Sequence, residues 1–272
     1  MGELGEGWDN VAYAVGPGLV LRVSKWGDAA TRRVQADRDV ALLGFAARHS
    51  TLATNRVLAS LPDEGALLLT RVPGVGSDVC PPRDLQGFAA TMASFLTRLH
   101  TVPAVEAALV VTPDDASDAW IAQTREAWQA SLTGETVPAL VDPSTRRRIE
   151  TVLDAGLPGR PRRIVFCHND LTDEHLFVDP STAAVTGIID WSDAVLGDPA
   201  GDLSLIALDR GVDVLDAILR DYGGPTDPEL RARALWHAAH AGIEGVAHRA
   251  QHLPSSAPRA VALLQAVVEE LT

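Results

Sequence analysis

The segment "RVPGVGSD" (71–78) divides this chain of 272 residues into two stretches of different periodicity, and that division limits what it can fold into. Before it, "VAYAV" (11–15) and "LVLRV" (19–23) are short β-type runs joined by "GPG" (16–18), a strong hairpin signal. From Ala29 to about His49 the spacing turns helical, with Val34, Val40, Leu43 and Phe45 among the apolar positions. "RVLAS" (56–60) and "ALLLT" (66–70) are strand-like again, separated by "PDEG". Hairpin, helix, hairpin predicts a small antiparallel sheet with one helix packed on it. After the break the chain reads as mainly helical. Asp84 to His100 is amphipathic, Pro113 to about Leu132 carries acids in its first turn, and Asp142-Pro143-Ser144 opens a third helix. "TDPEL" (226–230) opens a long one, with Asp227 as cap and Pro228 at the first position, and a last helix starts near Pro258. Between them, "RIVFCH", "HLFVD" and "VTGIID" predict an island of three strands. The expected class is α+β with two lobes, 1–72 and 73–272.

Composition narrows the partners. With 46% hydrophobic and 22% charged residues the chain is globular rather than disordered. A net charge of −13 makes nucleic acid and anionic membrane surfaces poor partners and draws in cationic small molecules, although an acidic surface also serves solubility alone. The two cysteines have no C-x-x-C spacing, which excludes a disulfide framework and a structural zinc site and fits a reducing compartment. "MGELGEGWDN" lacks the charged and apolar regions of a signal peptide. No apolar run approaches the roughly 18 residues of a membrane span. The expectation is a cytoplasmic protein, monomeric or weakly dimeric.

The β island carries the chemistry. Asp170 lies in a loop after "IVFCH", Asp190 ends "VTGIID", and His175 starts "HLFVD". If the last two strands pair across "PSTAAV", His175 and Asp190 face one point. Two oxygens and a nitrogen there suit Mg²⁺ bound chiefly through phosphates, leaving Asp170 to accept a proton from a hydroxyl. Singly, each residue has an ordinary explanation: His168 and Asp190 cap turns and His175 packs. Together they are harder to dismiss. In the first lobe, "GEGWDN" (5–10) precedes a strand and its backbone N–H groups would cover phosphates, while Arg22 on a strand and Asp39 on the next helix form a cation–acid pair.

The stretch "HNDLTDEHLFVDPSTAAVTGIIDWSDAVLGDPAGDLSLIA" (168–207) resembles the pattern H-x-D-L-x-x-x-N, G-x-I-D-W, G-D-P-x-x-D-L of the aminoglycoside phosphotransferase family. "GEGWDNVAYAV", "RDVALLGFA" and "LTRLH" resemble that family's loop, first-helix and lobe-linking helix segments. The resemblance implies a protein-kinase-like fold and transfer of phosphate from ATP or GTP, with Mg²⁺. Asp170 would be the catalytic base, His168 the anchor of its loop, and Asp190 a Mg²⁺ ligand. His175 replaces the family's usual asparagine ligand and resembles the macrolide kinases, and an imidazole ligand makes metal affinity pH-dependent. Gly5 and Gly7 would belong to the phosphate loop, with Arg22 in the nucleotide-lysine position, Lys25 as its fallback, and Asp39 as partner acid. The strand end from Leu69 through Arg71 to Val72 would meet the base, and Asp198 and Asp202 would brace the catalytic loop. Residues 1–4 leave room for only a stub of first strand, so a weakly anchored loop is expected.

The implied acceptor is a cationic antibiotic, an aminoglycoside or basic peptide, with a macrolide open. Asp173, Glu174, Asp193 and Glu244 are the candidate contacts, and Asp198, Asp227 and Glu269 are further acids that would line such a site. For Asp173 and Glu174 a solvated turn is an equal alternative. The apolar stripe "LWHAAHAGIEGVAHRA" (235–250) reads as core, and its His237, His240 and His248 as packing or surface residues. A metabolic small-molecule kinase or a non-catalytic nucleotide-binding protein would share most of these features.

Overall fold

A computed structural model describes residues 2–7, 9–25, 27–114 and 117–272. The β-type runs of the first seventy residues form one antiparallel sheet of β1 (Gly2–Glu6), β2 (Asn10–Ala14), β3 (Leu19–Ser24), β4 (Val57–Leu61) and β5 (Ala66–Thr70), in the order β1-β2-β3-β5-β4. Helix α1 (Ala29–His49) lies between β3 and β4 in sequence, and the Asp28 carboxylate caps it by accepting the Thr31 N–H at 2.8 Å. Residues 2–6 are not a stub. β1 pairs with β2 from Gly2↔Ala14 to Glu6↔Val11, so the loop that follows is anchored by a strand of five residues.

The chain leaves this sheet after Thr70. It enters a second sheet at β6 (Val75–Gly76), which pairs with β8 (Leu176–Val178), and β8 pairs with β9 (Val185–Ile188). The expected three-stranded island is therefore split. β7 (Val165–Cys167) pairs instead with β10 (Val195–Gly197), a run too short to show a period. The helices are α2 (Leu85–His100), α3 (Ala104–Ala107), α4 (Ser117–Ser131), α5 (Thr136–Leu140), α6 (Pro143–Asp154), α7 (Pro199–Arg210), α8 (Val212–Asp221), α9 (Leu230–His252) and α10 (Ala257–Leu271).

Two helix starts differ from expectation. Pro113 and Asp114 are extended, because the Asp114 N–H donates to Leu196 O at 2.9 Å and holds this segment against β10. The regular turns of α9 begin at Leu230, two residues later than expected. Asp227 still accepts the Glu229 N–H at 3.1 Å as a cap would, Leu230 N–H closes a tighter turn on Asp227 O, and the same carboxylate also pairs with Arg233.

One apolar core joins the two parts. It runs from Leu42, Leu43, Phe45 and Leu69 through Met92, Phe95, Leu96 and Leu99 to Trp191, Leu203 and Ile243. Phe45 meets Phe166 edge-on at 5.1 Å, and Phe166 stacks on Trp191 at 5.9 Å. Residues from α1, β7 and the segment after β9 thus pack directly beneath the loop that leaves β7. A backbone tie adds to this: Ile188 N–H donates to Ala53 O at 2.8 Å. The small residues of α9 serve this core, since a Cβ on Gly242 would meet Leu208 and Leu264 at 3.1 Å. Among the described residues no helix is long and apolar enough to cross a membrane.

Candidate active site

The loop 168–175 joins β7 to β8, and its first half is held by a buried carboxylate. Asp202 on α7 accepts the His168 N–H at 3.0 Å, the Asn169 N–H at 2.6 Å and His100 Nε2–H at 3.0 Å. Burial alone would raise the Asp202 carboxyl, but the His100 hydrogen bond, the influence of the two imidazoles and the Asn169 N–H outweigh it and hold it below the usual range. With Nε2 donating, His100 Nδ1 accepts the Tyr222 O–H at 2.7 Å. Asn169 (φ 69°) and Asp190 (φ 61°) occupy the left-handed region, which costs a residue with a side chain about 1–3 kcal/mol and persists where the surroundings enforce it.

His168 is wholly buried and ties the two strand ends together. Its Nε2–H donates to Ile189 O at 2.9 Å while Nδ1 accepts the Asp170 N–H at 3.2 Å, so the residue before Asp190 and the residue Asp170 are fixed to one imidazole. Burial pushes its pKa down and keeps it neutral, as that pair of bonds requires.

Asp170, His175 and Asp190 converge. β8 and β9 pair as their sequences predict, with Leu176 opposite Ile188 and Ile189 N–H bonded to His175 O at 3.0 Å. His175 Nδ1 lies 2.9 Å from Asp170 O and 3.2 Å from Asp170 Oδ2, and its Nε2 lies 3.7 Å from Asp190 Oδ2. Burial disfavours a charge on His175, but the hydrogen bonds and charge of Asp170, joined by Asp190, overcome it and raise the pKa to about 9. Asp190 is held below the usual range. Burial opposes this, while Ser192 Oγ–H at 2.7 Å and the charges of His175 and Arg22 favour it. Asp193 stands close enough for Asp170 and Asp190 to act on it, and burial followed by their charges raises its pKa. The same carboxyl feels Asp9, beside the first-lobe loop.

The first lobe brings its cation to this point. Arg22 Nη2 donates to Asp39 Oδ2, Gln35 Nε2 donates to Asp39 Oδ1 at 3.0 Å, and the Arg22 charge reaches Asp190. Burial raises the Asp39 carboxyl against the pull of Arg22. Gly7 N–H closes a turn on Asn10 O at 2.9 Å, whereas Gly5 lies inside β1 beside a register shift. Lys25 is engaged by that turn, with Nζ 3.0 Å from Gly7 O and 2.6 Å from Glu6 Oε1. Leu69 is buried within the ladder between β3 and β4, and the Arg71 N–H donates to Gly18 O at 2.8 Å, so that group is taken before any base arrives.

Several expected acceptor contacts lie elsewhere. Asp173 is turned inward against Arg210 at 2.5 Å, and burial together with Asp209 raises its pKa to about 6. Glu174 is exposed. Glu244 accepts Thr124 Oγ–H at 2.7 Å between α9 and α4. Asp198 and Asp227 share the buried Arg233, and Glu269 pairs with Arg148 at 3.2 Å. His240 is buried against Trp236, His237 stacks on Trp120, and the exposed His248 lies against His252. Of the acids expected to meet an acceptor, Asp193 is the one set among the loop carboxylates. The sequence reading missed His100, Tyr222, Ser77, Arg210 and Arg233. His100 ends "LTRLH" and was within reach of that motif, but Arg210 and Arg233 have no local signal.

This arrangement offers a carboxylate base, a carboxylate–imidazole pair suited to a cation, and an arginine whose charge reaches that pair's carboxylate. The profile of the Phosphotransferase enzyme family matches residues 2–236. Viomycin phosphotransferase of Streptomyces vinaceus is 26% identical over 168 residues, 59% of this chain and 55% of that protein, so the match spans about half the length of this curated relative. The structure described as the GDP and kanamycin complex of APH(2")-IIia shares the fold, with a TM-score of 0.73 at 19% identity over 99% of this chain and 93% of that one. The apoenzyme of macrolide 2'-phosphotransferase MphH from Brachybacterium faecium gives 0.64 at 25% identity, over 96% and 91%. Matched over most of its length and carrying the loop and its partners in place, the chain belongs to the phosphotransferase enzyme family.

Proposed function

We propose that this chain moves the γ-phosphate of ATP or GTP to a hydroxyl of a small antibiotic, with residues 1–72 holding the nucleotide and residues 73–272 the chemistry and the acceptor. The observation that carries it is the convergence of Asp170, His175 and Asp190 with the Arg22–Asp39 pair. An acceptor hydroxyl placed at Asp170 gives its proton to the carboxylate as its oxygen attacks the γ-phosphorus and the bond to the β-phosphate oxygen breaks. Transfer of this kind runs through a loose transition state, so positioning and charge stabilisation carry most of the acceleration. Arg22, held by Asp39, supplies positive charge beside Asp190, and the turn closed by Gly7 covers the phosphates.

The residues fit a divalent cation. With His175 Nδ1–H directed at Asp170 O, Nε2 is the atom turned to Asp190, an orientation of the sort that second partners impose on ligating histidines. Mg²⁺ held by Asp190 and His175 would displace the imidazole proton and neutralise charge on the phosphates. The macrolide-kinase-like role of His175 rests on this reading.

The acceptor we favour is cationic. Asp170, Asp190 and Asp193 gather negative charge at one point of a chain of net charge −13; one relative is named for viomycin, and one fold neighbour is described in complex with kanamycin. The test is mass spectrometry of products after incubation with Mg²⁺, ATP or GTP, and viomycin, kanamycin, a macrolide and simple metabolic alcohols. A phosphate-sized gain on viomycin or kanamycin, lost by several orders of magnitude in Asp170→Ala while nucleotide still binds, is the expected result. A mild effect of Asp170→Ala on turnover refutes the base assignment. Asp190→Ala should instead weaken Mg²⁺-dependent nucleotide binding, measured by calorimetry.

A further inference from the structure

Asp173 lies in the second half of the loop, between Asp170 and His175, and each of its polar groups is engaged by residues outside that loop. Its N–H donates to Asp209 Oδ2 at 3.1 Å. Its carbonyl accepts Ser77 N–H and Ser77 Oγ–H, both at 2.9 Å, and Asp78 N–H at 3.3 Å. Its carboxylate meets Arg210 Nη2 at 2.5 Å and Ser77 Oγ at 3.1 Å. Arg210 Nη2 also reaches Ser77 O at 3.0 Å and Ser77 Oγ at 2.8 Å, and its Cζ stands 5.9 Å from the Phe88 ring centroid. Ser77 is wholly buried, and Arg210 Nε is buried with no partner. A buried guanidinium with an orphaned donor is costly to keep unless its remaining bonds are needed.

Helix α7 therefore grips the loop at two places. Asp202 holds the N–H groups of His168 and Asn169, while Asp209 and Arg210 hold Asp173. Asp202 and Asp209 are seven residues apart, two turns along one face, a rise of roughly 10 Å. The segment after β6 clasps the same point through Ser77, so the crossing between the lobes is fastened to the loop as well.

We propose that Ser77, Asp209 and Arg210 are positioning residues for phosphoryl transfer, setting through Asp173 the spacing between Asp170 and His175. This rests on the phosphotransferase reading above. The single substitution Arg210→Gln leaves the buried Asp173 carboxylate without its cation and loosens the hold on the second half of the loop. The double variant Asp173→Asn/Arg210→Gln restores a neutral hydrogen-bonded pair. Ser77→Ala removes one hydroxyl and keeps the fold if the larger change does not.

The experiment combines steady-state kinetics, on the acceptor that gains phosphate, with hydrogen exchange over residues 168–178. Arg210→Gln and Ser77→Ala are expected to lower kcat about tenfold with nucleotide KM within about twofold, as loss of positioning does. Amide protection should fall over 168–178 and not in β2 or β3, and the double variant should recover both readouts. Wild-type kcat in Ser77→Ala, or unchanged protection of 168–178 in Arg210→Gln, overturns the proposal. Loss of protection in the variant of a chain that phosphorylates nothing upholds the clamp and overturns its role in transfer along with the phosphotransferase reading.

Discussion

His168 and His175 sit with ring centroids 6.5 Å apart in one loop and hold opposite protonation states. Both are removed from water, so the difference lies in their neighbours. His168 spends its two nitrogens on backbone groups and stays neutral, whereas His175 faces two carboxylates and is held charged up to about pH 9. His237 shows the same physics with no compensating partner. It packs against Trp120 and Trp236, its Nε2 is buried without a bond, and burial lowers its pKa to about 4 despite Asp198 and Asp114, with His240 and Arg233 adding to the depression. A histidine depressed on folding takes up a proton in the unfolded chain first. Its stabilising share is full above about pH 6.5 and is lost as pH falls from there towards 4. Urea midpoints at several pH values across that window should therefore fall less steeply for His237→Gln than for the parent. Parallel slopes would contradict the assignment.

At the scale of elements, local chemistry and tertiary pairing divide the outcome. Asp28, Asp84 and Asp142 each accept backbone N–H bonds at a helix start, and the last two stand where the sequence alone places them. Asp227 makes the same kind of bond to the Glu229 N–H and in addition holds Arg233, six residues on, in a charged bidentate pair that no local pattern announces. β6 depends on a different kind of constraint. Gly74 has φ 108°, and a Cβ there would come within 2.3 Å of Val178 O. Gly74→Ala must therefore push β6 off β8, and a loss of about 2–4 kcal/mol is expected, from left-handed strain plus overpacking. Denaturant unfolding with a change under about 0.5 kcal/mol would show that the crossing segment can move aside without cost.

Over the whole molecule, the excess of acid is distributed unevenly in its effect. Many C-terminal carboxylates are neutralised by arginines across helix contacts, as Asp198 and Asp227 are by Arg233 and Asp216 by Arg231. Asp170, Asp190 and Asp193 form no ion pair with an arginine among the described residues; the first two share His175, and their charges add to burial in raising the Asp193 pKa. A cationic acceptor would be drawn to that cluster through a field that salt screens. KM for viomycin or kanamycin is expected to rise about threefold or more from roughly 50 to 300 mM salt, with kcat little changed. A flat KM would mean that contacts other than charge select the acceptor.

The sequence by itself determined the features that depend on near neighbours. Apolar spacing and capping acids set α1, α2 and α6. The two hairpins of the first lobe follow from Gly/Pro turns, and Asp170, His175 and Asp190 come together because two short strands pair across one tight turn. Tertiary structure decided which charges remain available. Asp173 reads like Asp193 in sequence, yet its partners Ser77 and Arg210 lie 96 and 37 residues away, and their contact removes it from the cleft. β7 likewise pairs with β10, beyond two intervening strands in sequence, where Phe166 stacks on Trp191. Burial and pairing of charge are set by distant groups, which no local pattern encodes.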